Sequence, residues 1–294
     1  MNEQAIKDID SRADTFTGDR ARLNEPRLNR LQKRYQEAQT NLDRLQRQAA
    51  IRKDPKIVWQ IHSERALVFD AINRLPAARR EFDAALSSAN EALSPIKDDR
   101  YRLTDFAQLL SVYHSYVDFL VEHNEKEQAL RIAELGHARL LAEKLKTRAP
   151  SRDFDFKQIA RAKKAIILSY SITPLHSYMW VTTASSISMF PLPSDDVKKL
   201  EKLIASHNFA IHDDLRPDDV GGDKLYKILV GQAADAHLLP AQSNVIVIPD
   251  GPLSALNFET LIPGGAKRYW LESATITVVP SLASVNHYTA ATCL

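Results

Sequence analysis

A chain of 294 residues is long enough for two domains and a sizeable core. Its 39 basic and 37 acidic side chains leave a net charge of +2, which is no polyanion-binding signature and argues against a nucleic-acid partner. The opening Met-Asn-Glu-Gln-Ala-Ile-Lys-Asp lacks the apolar core of a signal peptide, and no window approaches about 18 uninterrupted apolar residues, so no membrane partner is expected. A single cysteine, Cys293, excludes an intramolecular disulfide and fits a reducing compartment, which together predicts a soluble cytoplasmic protein.

Charge density changes near Pro150. Up to there the chain carries 26 Lys/Arg and 23 Asp/Glu, leaving 13 and 14 beyond (39 minus 26, 37 minus 23). Six of the eight glycines fall in the second part. Charged, Gly-poor sequence suits solvent-facing helices, and Gly/Pro punctuation suits short strands and turns. Thr147-Arg148-Ala149-Pro150-Ser151-Arg152 is the expected boundary, giving a helical region over 1–150 and an α/β region over 151–294.

In the first region Leu28, Leu31, Tyr35, Ala38, Leu42, Leu45 and Ala49 alternate spacings of three and four. That predicts a heptad seam on one long helix, packed against the next helix of the same chain. From Ile57 to Leu93 the pattern becomes a helical hairpin. There Ala66, Phe69, Asn73, Ala78, Phe82 and Ala85 match the small–large–turn–small–large–small positions of a tetratricopeptide repeat. A second hairpin is expected from about Tyr101 to Leu145, with Val117, Leu120, Asn124, Ala129, Ala133 and Gly136 in the corresponding places. The registers are 51 residues apart (129 minus 78) against about 34 for a standard repeat, so these are elongated repeats.

The second region predicts strands over Ala165–Tyr170, Ser177–Thr182 and Ser186–Pro191, then helices from Asp195 to about His207 and from Gly222 to about Ala236. Val245-Ile246-Val247-Ile248 runs into Pro249-Asp250-Gly251-Pro252. A continuous β-branched run bounded by turn residues reads as a strand buried on both faces, which requires an α/β sheet. Gly251 supplies the sharp exit by tolerating positive φ, and Asp250 by bonding its own backbone. A short helix around Asn257–Leu261, a strand over Ala274–Pro280 and a closing helix capped by Ser281 complete the expectation.

This order of elements resembles the CHAT domain, a caspase- and separase-like cysteine peptidase domain found downstream of tetratricopeptide repeats. Four segments carry the resemblance: Ala129–Glu143 as the junction helix, Ile167–Ser171 with Ser177–Thr183 as the opening strands, Asp223–Val230, and Ile248–Leu261 followed by Ala274–Ser284. The resemblance implies an α plus α/β fold, with tetratricopeptide-like hairpins followed by the first part of a caspase-like sheet domain. It also implies a protein of bacterial signalling or defence, whose helical repeats bind a protein or peptide partner. The family's Thr-His-Gly and Ser-Ala-Cys segments, which carry its catalytic His and Cys, have no counterpart here, and the chain stops where the catalytic half would begin. The expectation is therefore an inactive, truncated member with no catalytic residue, no cofactor and no metal ligand. The rival expectation is a complete, non-enzymatic adaptor whose own Ser281–Leu294 helix caps the sheet edge.

Individual residues add little chemistry of their own. Cys293 and His287 are six apart, which is not a facing separation on a helix, and Cys293 is penultimate. His207, His212, Asp213, Asp214, Asp218 and Asp219 fit neither an EF-hand nor a zinc spacing and read as a solvated loop. Asp250 reads as a turn stabiliser. The basic stretch Arg131, His137, Arg139, Lys144, Lys146 and Arg148, interrupted by Glu134 and Glu143, reads as a solvated helix face. Trp59, Trp180 and Trp270 read as core or groove wall, and Ser254 and Ser281 lack a neighbouring base.

Overall fold

The computed structural model describes residues 22–52, 55–93, 99–145, 147, 154–173, 176–212, 221–264 and 268–285. The chain divides into two compact units, Met1–Phe119 and Leu120–Leu294. The division falls upstream of the composition change near Pro150, and 148–153 lie outside the described residues.

The expected single long helix is two helices. Residues 22–31 form α1 and Tyr35–Arg52 form α2, with Lys33 at φ 60° between them. The seam therefore breaks. Leu28 and Leu31 are 51% and 67% exposed, while Ala38, Leu42, Leu45 and Ala49 are buried. These four pack with Ile57, Ile61 and Val68 of α3 (Pro55–Ala71), so the expected packing within the chain holds for the α2 half of the seam.

The turn that breaks the seam recurs. Lys33, Asn73 and Asn124 adopt φ of 60°, 58° and 63°, joining α1 to α2, α3 to α4 (Leu75–Leu93) and α5 (Asp99–Glu122) to α6 (Lys126–Lys144). At each, the following amide donates back across the helix end: Arg34 N to Asn29 O at 2.7 Å, Arg74 N to Phe69 O at 2.8 Å and Glu125 N to Leu120 O at 2.7 Å. This is a Schellman-type closure, which satisfies carbonyls that a helix end leaves open. Asn tolerates the left-handed conformation, and Lys pays a steric penalty for it. Five, nine and twelve residues after each turn residue the side chains are small or apolar and buried: Ala38, Leu42, Leu45; Ala78, Phe82, Ala85; Ala129, Ala133, Gly136. Phe82 stacks on Tyr116 of α5 with centroids 4.7 Å apart, and the Tyr116 hydroxyl donates to Asp83 Oδ1 at 2.9 Å.

The second unit is built on a five-stranded sheet of order β3-β2-β1-β4-β5. The strands are β1 (Ala165–Ile172), β2 (Ser177–Thr182), β3 (Ile187–Pro191), β4 (Ser243–Ile248) and β5 (Ala274–Val278). β1 runs antiparallel to β2 and parallel to β4, and β4 runs parallel to β5. Val245–Ile248 is buried throughout, as a strand covered on both faces requires. On one face Leu168, Tyr170, Met179, Val181, Val245 and Val247 form a core with Leu200 and Ile204 of α8 (Ser194–His212) and Leu225 and Leu229 of α9 (Gly222–Leu229). The alternating residues Ile167, Ser169 and Ser171 point to the opposite face. There α6 and α7 (Phe156–Lys163) contact β1.

The helix expected from Gly222 to Ala236 is interrupted. Val230 leaves helical geometry (φ −126°, ψ −24°), and α10 spans only Gly231–Asp235. The buried Tyr170 hydroxyl donates to the Leu229 carbonyl at 2.9 Å, at the position where the helix breaks. The closing segment begins as a 3-10 turn, Leu282–Ser284, which Ser281 caps through its Ala283 N–H bond of 3.0 Å. Residues 286–294 lie outside the described residues.

Candidate functional site

Two places gather polar side chains where apolar ones would pack more cheaply. The first is a groove of about 380 Å³ in the helical unit, walled by α1, α3 and α5. Trp59, Leu23 and Val112 form its apolar floor, and Gln60, Ser63, Gln108, Ser111, Asn24 and Arg27 its polar surface. Gln60 Nε2 donates to Gln108 Oε1 at 2.8 Å, tying α3 to α5. Beneath it Glu64, 3% exposed, accepts from Arg30 Nε at 2.5 Å and Arg27 Nε at 3.3 Å. A carboxylate so deeply buried is tolerable because two guanidiniums neutralise it.

The second place lies in the α/β unit, beside the carboxyl ends of β1 and β4. Glu134 on α6 is 1% exposed. Its Oε1 accepts from Ser281 Oγ at 2.5 Å and from Leu282 N at 2.7 Å. Its Oε2 faces His137 Nδ1 at 3.9 Å, and His137 Nε2 lies 3.6 Å from Asp250 Oδ1. Asp250 in turn accepts from Ile172 N at 2.7 Å and Gly251 N at 2.9 Å. Burial alone would lower the His137 pKa. The Asp250 and Glu134 carboxylates outweigh it and push the imidazole up to about 10, so it is a cation near neutral pH. A buried cation held between two carboxylates, each also bonded to backbone amides, is a clamp on geometry. It fixes α6, the Asp250 turn and the 281–282 segment to one another.

Asp250 thus stabilises its turn, with Gly251 at φ 53° as expected, and also pairs with His137. The solvated-face reading of the α6 basic stretch fails for Glu134 and His137, which are buried. It fails because α6 presents i, i+3 positions to the sheet domain, and these two residues share that face. Lys144 is exposed, and Lys146 and Arg148 lie outside the described residues. The loop reading of His207 is also corrected: it sits on α8, fully buried, with Nε2 2.8 Å from Thr260 Oγ1. His212 ends the same helix, while Asp213, Asp214, Asp218 and Asp219 lie outside the described residues, as do His287 and Cys293. Among the described residues no cluster of three or more His, Cys, Asp or Glu could hold a metal ion. Trp180 and Trp270 are core residues, Trp180 donating from Nε1 to the Lys126 carbonyl at 3.0 Å, and Trp59 is a groove wall. Among the described residues no helix is long and apolar enough to cross a membrane. No protein-family model and no curated protein matches the chain.

Proposed function

We propose that this chain is a tetratricopeptide–CHAT type protein of bacterial signalling or defence that acts by binding a protein partner, and that it does not cleave peptides itself. The observation that carries the binding role is the polar-lined groove of α1, α3 and α5. A stable helical array gains by filling such a space with apolar side chains. Two glutamines, two serines, an asparagine and an arginine stand there instead, and they favour a ligand with polar groups of its own.

The family reading draws support from the buried clamp. Glu134 comes from the first of the segments that carry the sequence resemblance and Asp250 and Ser281 from the last, and they meet through direct or His137-bridged contacts. The absence of Thr-His-Gly and Ser-Ala-Cys segments from the 294 residues favours a binding role over peptidase activity.

A photo-crosslinking amino acid placed at Ser63 in the groove, and separately at the exposed Lys198 on α8, tests the binding role in cells. Ser63 crosslinks one defined partner, Lys198 does not, and Trp59→Ala weakens the Ser63 product. Equal labelling from both positions, or no product from Ser63, overturns the reading.

A further inference from the structure

We infer that the groove of the helical unit takes an extended, acidic peptide segment, its main chain addressed by the Gln60–Gln108 pair and a carboxylate by Arg27. This rests on the partner-binding reading above and adds the chemical class of the partner.

The argument starts from hydrogen-bonding capacity. An amide side chain has one acceptor oxygen and a two-proton donor nitrogen. The bond from Gln60 Nε2 to Gln108 Oε1 uses one of each and leaves Gln60 Oε1 as acceptor beside Gln108 Nε2 as donor. That pair complements the N–H and C=O of one residue in an extended chain, which point to the same side. Only an extended segment offers such groups, because a helix has already bonded its own. The arrangement is doubled along the groove. Gln60-Ile61-His62-Ser63 and Gln108-Leu109-Leu110-Ser111 repeat a Gln-x-x-Ser spacing on α3 and α5, which places each serine one turn from its glutamine on the same helix face.

Charge fixes the rest. The groove lining holds one cation, Arg27, and no carboxylate among the described residues. The nearby Glu64 is 3% exposed and already shared between Arg27 and Arg30, so this end of the groove carries a net positive charge of one. The Arg27 side chain is 53% exposed, and its bond to Glu64 through Nε leaves the two terminal nitrogens as donors for a ligand oxygen. A lysine-bearing peptide meets only repulsion there.

Three fluorescein-labelled, C-terminally amidated decapeptides serve as probes: alternating Gly-Glu, alternating Gly-Lys and alternating Gly-Ser. Anisotropy titrations of the full chain should give saturable binding of the Gly-Glu peptide. Arg27→Gln should weaken it roughly three- to tenfold, and added salt should weaken it further. Gln60→Ala with Gln108→Ala should weaken it at least as much, whereas Lys198→Gln, on α8 of the other unit, should leave it unchanged. Arg27→Gln leaves Glu64 paired with Arg30 at 2.5 Å, and thermal melts of each variant check that the fold is kept. Absence of saturable Gly-Glu binding, or binding indifferent to Arg27→Gln, overturns the inference. If the Gly-Lys or Gly-Ser peptide binds instead and the glutamine double variant weakens it, the acidic class is wrong while the groove remains a partner site. If no probe binds and the Ser63 crosslinker captures nothing, both readings fall.

Discussion

Removing the Glu134 carboxylate isolates the buried clamp. In Glu134→Ala the Leu282 amide and the Ser281 hydroxyl lose their acceptor, and His137 keeps only Asp250 as counter-charge. A buried amide left without a partner costs about 1–3 kcal/mol. Breaking one side of a buried ion pair costs about 3–5 kcal/mol in all, and the two figures overlap because the same carboxylate serves both roles. The expected loss is about 3–5 kcal/mol, a large fraction of the 5–15 kcal/mol typical of a folded domain. Glu134→Gln retains an oxygen for Leu282 and Ser281 but withdraws the charge facing His137, so it should lose roughly half as much. Urea titrations followed by tryptophan emission measure this. In a Trp59→Phe background the emission comes from Trp180 and Trp270, both in the α/β unit, so the signal reports that unit. A loss below about 1 kcal/mol for the alanine variant, within the range of ordinary surface substitutions, refutes the clamp. So does a glutamine variant as damaged as the alanine one.

Other expectations concern the same geometry. His137 has a folded pKa of about 10 against 6.5 unfolded, so its contribution is complete below about pH 6.5 and is lost as pH rises through 10. Stability of the α/β unit should therefore fall across pH 7–10 more steeply than in His137→Gln, by up to about 1.4 kcal/mol per pH unit, as read by urea midpoints at each pH. Lys33→Gly should stabilise the first turn by up to about 1 kcal/mol, because a lysine at φ 60° carries a steric penalty that glycine does not; thermal melts check the sign. Gly222→Ala should destabilise by about 1–3 kcal/mol. Its Cβ would stand 3.1 Å from His207 Cε1 and 3.3 Å from the Thr260 carbonyl, and the bond between His207 and Thr260 prevents either from yielding. A melting temperature equal to the parent's would show that the pocket relaxes.

Much of the sheet was legible because its strands obey local rules. Val245–Ile248 is β-branched and bounded by turn residues, and Ser177–Thr182 has the bounds the sequence predicts. The α1–α2 break was less legible, since Leu28 and Leu31 continue the heptad spacing across it. A signal did exist: Ala38 follows Lys33 by five residues, as Ala78 follows Asn73 and Ala129 follows Asn124. It was hidden because lysine is a poor indicator of positive φ. The break at Val230 was not legible, because it coincides with a hydrogen bond from Tyr170 to the Leu229 carbonyl, 59 residues apart in the chain. The clamp escaped for the same reason. Glu134 and His137 look like helix-surface charges until Ser281, 147 residues away, and Asp250 come to meet them. The groove was only half visible: Trp59 was expected in a core or groove wall, but pairing Gln60 with Gln108 needs α3 beside α5.

Binding and cleavage are separated by one assay. The purified 294-residue chain is incubated with a fluorogenic peptide library under reducing conditions at neutral pH, alongside its Cys293→Ala variant. A protein that binds partners without a catalytic dyad gives no turnover above buffer in either sample. Turnover by the parent chain that disappears with Cys293→Ala would contradict the account, since the only thiol in the sequence would then be a nucleophile.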